Sequence, residues 1–277
     1  MCGRYRLTST AAELGRQFQT HVHEDLLKQR PRYNVAPTDI MPILRVVDDE
    51  RWLLPSRWGL IPPWAKDPKI GSSMIGRGHP AHPEDTRSAT KPKAAFSSIS
   101  MINARAETAS EKPAFKDALL HRRCLVVVDG VYEWRQRSPK QKVPHLITFD
   151  ADERPVTLGG LWSSWKRDGV SINSFTILTT AANEQLRALH DRMPILVDDN
   201  DRDAWLDPSL EAIDLAHFAR PRVLPAVRFR AVSSRLGNVK NDDDSLLVAD
   251  ELLPDVEVAP TTKKKATTKK PDQGDLF

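Results

Sequence analysis

The second residue of the chain is a cysteine, and an N-terminal cysteine carries two nucleophiles on adjacent carbons. The sequence begins MCGRY, and the small side chain of Cys2 predicts that methionine aminopeptidase removes Met1. The freed α-amine, with a reference pKa of about 7.7–8, is substantially neutral near pH 7. Such an amine forms a Schiff base with an aldehyde. The thiol can then close on the imine carbon to give a five-membered thiazolidine ring.

Three later segments carry side chains that suit proton transfer or phosphate binding. Asn103 and Arg105 lie two residues apart in MINARAET, so they share one face of an extended segment. Glu133 is flanked by aromatic residues in DGVYEW, a setting that desolvates a carboxyl and suits it to acid–base work. In HDRMP, His190 ends a predicted helix and Arg192 follows it. A histidine there either interacts with the helix dipole or moves protons.

The elements that must position these residues are mostly short strands. Apolar, β-branched runs bounded by Pro, Gly or Asp predict strands over 40–47, 123–134, 145–149, 156–162, 175–182 and 226–234. Helices are predicted over 10–18, 183–190 and 201–206, and over 111–121 with Ser110 as N-cap and Pro113 in the first turn. Helices scattered among such strands predict an α+β fold.

Composition excludes several classes of protein. The 277 residues, 40% of them hydrophobic, suffice for one large domain or two small ones. The two cysteines, Cys2 and Cys124, are too few and too far apart for a disulfide framework or a cysteine zinc site, and Cys124 in CLVVVDG is expected to be a buried hydrophobe. No apolar run approaches a membrane span, and the polar opening residues predict a cytoplasmic protein. A net charge of +4 permits nucleic-acid binding without proving it.

Seven segments, in this order, resemble one known family. They are MCGRY, YNVAPT (33–38), WGLIPPWAKD (58–67), NARAET (103–108), GVYEW (130–134), HDRMP (190–194) and VSSRLGNVKND (232–242). On these segments the chain is identified as a member of the SRAP family, the SOS-response-associated peptidases or abasic-site processing proteins. The resemblance covers roughly residues 1–250.

The resemblance implies a single domain over residues 1–253 with a mostly antiparallel, barrel-like β core flanked by helices. It implies an enzyme of DNA damage repair that crosslinks covalently to abasic sites in single-stranded DNA and shields them. The family is also described as a lyase and as a peptidase-like hydrolase. We expect a cytoplasmic monomer, associated with the nucleoid and replication forks, that needs no cofactor and no metal.

The resemblance also implies a role for each matching residue. Cys2 matches the nucleophile that forms a thiazolidine with the ring-opened deoxyribose, and Asn103 matches the residue that positions its amine. Glu133 matches the residue that assists ring opening, and His190 matches the one that handles protons in imine formation and reversal. The residues that match DNA contacts, arginines on the backbone and an aromatic ring on the bases, are Arg4, Arg105, Arg192 and Trp64.

Two segments depart from the family's pattern. Residues 72–100 are rich in Gly, Pro, Ser and charge, and form an insertion before MINAR; we favour a surface loop over an extension of the DNA contact. Residues 254–277 form a Lys-rich tail that is predicted to be disordered. The tail ends in QGDLF, in which Gln273, Leu276 and Phe277 resemble the bacterial sliding-clamp-binding pentapeptide.

Three other functions stay open at this point. A class II glutamine amidotransferase also begins with MCG, but its fourth residue is not arginine and no glutamine-clamping segment is found here. A thiol-dependent peptidase or autopeptidase is suggested by the family's older name. A non-catalytic DNA-binding or clamp-associated module would tolerate replacement of Cys2.

Overall fold

The computed structural model describes residues 2–67, 101–139, 141–209, 217–224 and 226–250. The predicted insertion at 72–100 and the predicted tail at 254–277 lie outside these residues. The strands are β1 (Arg4–Leu7), β2 (His21–Val22), β3 (Arg32–Val35), β4 (Ile40–Val47), β5 (Glu50–Trp58), β6 (Asn103–Arg105), β7 (Arg123–Val128), β8 (Gly130–Ser138), β9 (Gln141–Thr148), β10 (Val156–Arg167), β11 (Val170–Ala181), β12 (Arg192–Pro194) and β13 (Arg228–Ala231).

The helices are short and lie around the strands. They are α1 (Ala11–Phe18), α2 (Glu24–Leu27), α3 (Ala106–Ala109), α4 (Lys116–His121), α5 (Glu184–Arg187) and α6 (Arg202–Leu206), with 3-10 turns at Asp199–Asp201, Ser234–Gly237 and Asp244–Leu247. No helix among the described residues is long and apolar enough to cross a bilayer.

Five strands close into a barrel. β5, β4, β7, β10 and β11 pair antiparallel in that order, and β11 pairs back with β5 in parallel through Ser174↔Arg57 and Phe175↔Trp58. The ring planes of Trp58 and Phe175 lie nearly parallel, with centroids 6.3 Å apart. The barrel has no free edge along this seam. The predicted α+β fold with a mostly antiparallel, barrel-like core is confirmed.

A second sheet carries the N-terminus against the barrel. Its strand order is β13-β9-β8-β1-β3, so β1 lies between β8 and β3. A capping box fixes the start of α1. The Thr10 side chain accepts from the Glu13 backbone N–H, and the Glu13 carboxylate accepts from the Thr10 N–H. Strand β1 is therefore held by β8 and β3 on its two edges and by the capped start of α1 after it.

Most predicted strands are confirmed, and the predicted start of one helix is wrong. The strand over 40–47 has the predicted bounds, whereas the run over 123–134 divides into β7 and β8 at Asp129. The helix predicted over 111–121 begins only at Lys116, and Ser110 is instead the C-cap of α3. The residue before a proline avoids the α region, so Lys112 before Pro113 interrupts the helix.

A tight contact inside the barrel wall gives a test of the packing. A Cβ on Gly160 would lie 2.9 Å from Val126 Cγ2, 3.0 Å from Cys124 Sγ and 3.0 Å from the carbonyl oxygen of Thr176. Gly160→Ala should therefore lower the free energy of unfolding by about 1–3 kcal/mol, measured by urea denaturation. Gly237→Ala is the control, because nothing lies within 4 Å of its Cβ position. Equal stability of the two variants would contradict this packing.

Candidate active site

Cys2 is buried, although it stands directly before the first strand. Its side chain is only 2% exposed. The Cys2 thiol donates a weak hydrogen bond to the carbonyl oxygen of Arg4, with 3.6 Å between sulfur and oxygen. Chain ends usually fray unless they are tied down, so the burial of Cys2 reflects specific contacts.

The strongest of these contacts comes from Asn103. Its Nδ2 donates to the carbonyl oxygen of Cys2 at 2.7 Å, in a buried position. The Oδ1 atom of the same amide is buried and has no hydrogen-bond partner among the described residues. Asn103 is itself fixed, because the carbonyl oxygen of Ile102 before it accepts from Trp58 Nε1 and from the Ile177 N–H, each at 3.0 Å.

Glu133 lies beside the Cys2 segment because of the strand register. β1 pairs antiparallel with β8 through Arg4↔Tyr132, and Glu133 is the next residue of β8. Its side chain is buried, with 8% exposed, and it pairs across the strands with His145 of β9. The sequence predicted Glu133 at a strand end with partial desolvation. It lies inside the strand and is nearly fully buried.

His190 lies between α5 and β12 and shares a pocket with Glu133. A narrow pocket is lined by Glu133, His190 and Arg192 together with apolar side chains. The His190 Nδ1 atom accepts from the Arg192 backbone N–H at 3.0 Å, and it also lies 2.7 Å from Asp191 Oδ1. An unprotonated Nδ1 accepts from the Arg192 N–H, whereas a protonated Nδ1 donates to the Asp191 carboxylate.

Burial and charge both act on the Cys2 thiol. Burial raises the pKa of the Cys2 thiol well above its ordinary value, and the Glu133 carboxylate raises this pKa further. The thiol is therefore protonated at neutral pH. Burial in β7 also raises the pKa of the Cys124 thiol, without a contribution from Glu133, as expected of a small buried hydrophobe.

The predicted DNA-contact residues differ in exposure. Arg105 is exposed at the end of β6, and the ring of Trp64 is 57% exposed in the turn after β5. Arg4 is half-buried, and its Nη1 donates to Asn34 Oδ1 at 3.0 Å and to the Leu236 carbonyl oxygen at 2.9 Å. The Arg192 side chain is mostly buried and forms an ion pair with Glu107. The DNA roles of all four residues stay predictions.

Two groups that sequence reasoning missed lie next to the site. Glu107 forms a two-point ion pair with Arg192, at 2.7 and 2.8 Å. Asn34 Nδ2 donates to the carbonyl oxygens of Leu236 and Asn241, and Asn34 Oδ1 accepts from Arg4. Glu107 stands in the same NARAET motif as Asn103, which was the available signal. The described residues contain no cluster of His, Cys, Asp and Glu arranged for a metal ion.

Comparison with known proteins agrees with this arrangement. The family model of the SOS response associated peptidases (SRAP) matches residues 1–239. The chain belongs to the SRAP family. Among its SRAP relatives is the abasic site processing protein YoqW of Bacillus subtilis, 34% identical over 251 residues that cover 89% of this chain and 99% of YoqW.

A vertebrate relative and a solved structure extend the comparison. The abasic site processing protein HMCES of Gallus gallus is 30% identical over 308 residues, covering 96% of this chain and 83% of HMCES. A crystal structure of a Bacteroides thetaiotaomicron protein superimposes with a TM-score of 0.72 at 21% identity, covering 90% of this chain and 99% of that one. This last likeness shows the SRAP fold alone.

The effect of Glu133 on the Cys2 thiol can be measured directly. Glu133→Gln removes a negative charge that raises the thiol pKa, so more thiolate is present at a given pH and alkylation should speed up. Iodoacetamide labelling at pH 7–8, resolved by peptide mass spectrometry, reports Cys2 and Cys124 separately. Labelling of Cys124 should be unchanged, as should labelling of Cys2 in Glu111→Gln, an exposed glutamate. An unchanged Cys2 rate in Glu133→Gln would contradict the coupling.

Proposed function

We propose that this SRAP protein processes abasic sites by bonding Cys2 covalently to the ring-opened sugar in single-stranded DNA. The observation that carries the proposal is the buried contact of Asn103 with the Cys2 carbonyl, with the Cys2 thiol close enough to Glu133 to feel its charge and Glu133 sharing a pocket with His190. The printed names of YoqW and HMCES, abasic site processing proteins, support the substrate class.

The unpartnered oxygen of Asn103 supports a ligand-binding role for this amide. A buried acceptor without a partner is unfavourable by about 1–3 kcal/mol, so it is expected to meet a donor in the working enzyme. Its amide orientation is fixed, because Nδ2 already donates to the Cys2 carbonyl. We assign the Cys2 α-amine, free after removal of Met1, as the donor to Oδ1. This hydrogen bond would orient the amine.

The proposed reaction needs no oxidant and releases one water. The α-amine of Cys2 adds to the C1′ aldehyde of the open sugar, and loss of water gives an imine. The thiol sulfur then bonds to C1′, and its proton passes to the ring nitrogen. Glu133 is assigned proton transfer in opening the sugar, and His190 in dehydration of the adduct and in its reversal.

The raised thiol pKa supports an order in which the amine reacts first. A peptidase or an amidotransferase needs a thiolate for the first attack, and burial together with Glu133 disfavours that thiolate. Imine formation uses the amine, and ring closure can use a protonated thiol whose proton moves to nitrogen. The chemistry of the buried thiol therefore favours aldehyde capture over acyl transfer.

DNA is assigned to the exposed cations and to Trp64. Arg105 suits a phosphate because its planar guanidinium matches the geometry of phosphate oxygens. A base stacked on the exposed Trp64 ring would contribute roughly 1–3 kcal/mol. We propose that the protein acts as a cytoplasmic monomer, at the nucleoid and replication forks.

Covalent capture should depend on the Cys2 amine and thiol separately. Cys2→Ala should abolish the stable adduct with an abasic single-stranded oligonucleotide, assayed by denaturing gel and intact mass spectrometry. Cys2→Ser should leave at most a labile imine that borohydride traps, because oxygen closes a weaker ring. An N-terminal tag left in place should block the adduct.

Cys124→Ser serves as the control, because this thiol is buried in β7 and should not affect capture. A stable adduct formed by the tagged protein or by Cys2→Ala would overturn the mechanism and leave the non-catalytic alternative. Glutamine hydrolysis without an adduct would favour the amidotransferase alternative, and peptide cleavage would favour the peptidase.

We further propose that the C-terminal QGDLF binds the bacterial sliding clamp. Leu276 and Phe277 are adjacent hydrophobes that end a polar tail, so a partner's apolar pocket can receive them while Gln273 hydrogen-bonds at its rim. These residues lie outside the described part of the chain, and the proposal depends on their sequence. Clamp binding would raise the local enzyme concentration where abasic single strands arise.

A peptide of the last fifteen or so residues should bind the clamp with micromolar affinity, since a short segment must order on binding. Fluorescence titration against the purified clamp measures this. A peptide with Leu276→Ala and Phe277→Ala is the control and should not bind. Equal binding by both peptides, or binding by neither, would end this proposal without affecting the Cys2 mechanism.

A further inference from the structure

The Arg192 side chain, a predicted DNA contact, is already engaged within the protein. Its Nη1 and Nη2 donate to the two carboxylate oxygens of Glu107, and Nη2 also donates to the Thr179 carbonyl oxygen at 2.6 Å. The Arg192 side chain is 12% exposed, against 43% for Glu107. The ion pair also lowers the pKa of Glu107 below its ordinary value. A bidentate pair of this kind is directional as well as strong.

This ion pair joins the segment that follows the short strand of Asn103 to the short strand that comes two residues after His190. β6, which begins with Asn103, and β12, which begins with Arg192, both pair with β11. Both meet at Thr179, which pairs with Arg105 and with Pro194. Glu107 lies in α3, directly after β6. The pair therefore fixes the start of β12 relative to the strand that holds the Cys2 carbonyl.

The backbone of Arg192 in turn holds the catalytic histidine. Its N–H donates to His190 Nδ1 at 3.0 Å, and the Ala182 N–H donates to the Asp191 carbonyl oxygen at 2.9 Å. Nδ1 accepts from this N–H only in the neutral ring that carries its proton on Nε2, whereas a ring protonated on Nδ1 would donate to Asp191 Oδ1 at 2.7 Å. The ring orientation thus depends on where the Arg192 backbone lies.

We propose that Glu107 is a positioning residue for His190 and acts through Arg192. The Glu107 carboxylate fixes the Arg192 side chain over Thr179. That fixes the Arg192 backbone N–H, and the N–H sets the tautomer and direction of the His190 ring. This inference rests on the proposed function of His190. It gives Arg192 a role within the protein, beside the DNA contact that the family resemblance implied.

The test separates DNA binding from the bonding step. Glu107→Gln keeps the shape of the side chain and removes its charge, and Arg192→Lys keeps the charge and removes the planar fork. Binding is measured with a tetrahydrofuran abasic analogue, which has no aldehyde, and the single-turnover adduct rate is measured at saturating abasic DNA. Glu111→Gln, an exposed glutamate in the turn after α3, is the matched control.

Both variants should lower the saturating adduct rate roughly tenfold, as displacement of a catalytic group does, and should leave affinity for the analogue within about twofold. Glu107 acts through His190 in this proposal. In a His190→Ala background, Glu107→Gln should therefore lower the rate no further, because residues in one chain of contacts are not additive. Melting temperatures recorded beside these rates identify any variant that has lost its fold.

Three results would overturn the proposal. Tighter binding of the analogue by Glu107→Gln at an unchanged saturating rate would make Arg192 a phosphate contact that Glu107 restrains. A full additional loss in the His190→Ala background would make Glu107 a structural residue only. The ¹⁵N shifts of the His190 ring, measured without DNA, test the inference even if the wild type forms no adduct. Identical ring shifts in wild type and Glu107→Gln would refute it.

Discussion

The hydrogen bond from Asn103 Nδ2 to the Cys2 carbonyl is the contact that the rest of this site depends on. Fixing one residue's backbone opposes folding by roughly 1–2 kcal/mol of conformational entropy, and a chain end has only one neighbour to hold it. Here β1 is paired on both edges, the capping box fixes the chain after it, and β6 brings an amide to the carbonyl of Cys2. The barrel seam at Trp58 and Phe175 holds β6 in turn, through the Trp58 indole. Cys2 is thereby held like a core residue.

Local sequence predicts those parts of the fold whose causes are local. The strand over 40–47 is β-branched and apolar along its length and has the expected bounds, and the first helix, predicted over 10–18, begins one residue later because Thr10 is its N-cap. β5 was missed because Pro55 and its charged residues weaken the strand pattern, yet its pairing with β4 and closure onto β11 hold it. The closure of β5 onto β11 joins residues more than a hundred positions apart, such as Arg57 and Ser174, and no local pattern contains that pairing.

The candidate site shows the same division between local and distant causes. The SRAP motifs predict Cys2, Asn103, Glu133 and His190 as site residues. The fold brings Asn103 and Glu133 to Cys2, and His190 into one pocket with Glu133. The ion pair between Arg192 and Glu107 joins residues 85 positions apart. The HDRMP motif alone therefore gives no sign that Arg192 has a partner. Similarly, Glu133 is flanked by aromatics in sequence, but its burial follows from the register of β8 against β1 and β9. Residue type was predictable from the motif, and the partner of each residue was not.

The charge distribution explains why a covalent bond would be useful to this protein. Its 41 basic residues exceed its 37 acidic ones only slightly, and several arginines are engaged by carboxylates, among them Arg6, Arg32 and Arg192. Affinity for a nucleic-acid backbone grows with the number of phosphates neutralised and falls with salt, so phosphate contacts by exposed cations such as Arg105 predict salt-sensitive binding. On the proposed function, the few contacts of Arg105 and Trp64 need only bring the abasic sugar to Cys2. The persistence of the complex then comes from the thiazolidine, which salt does not weaken.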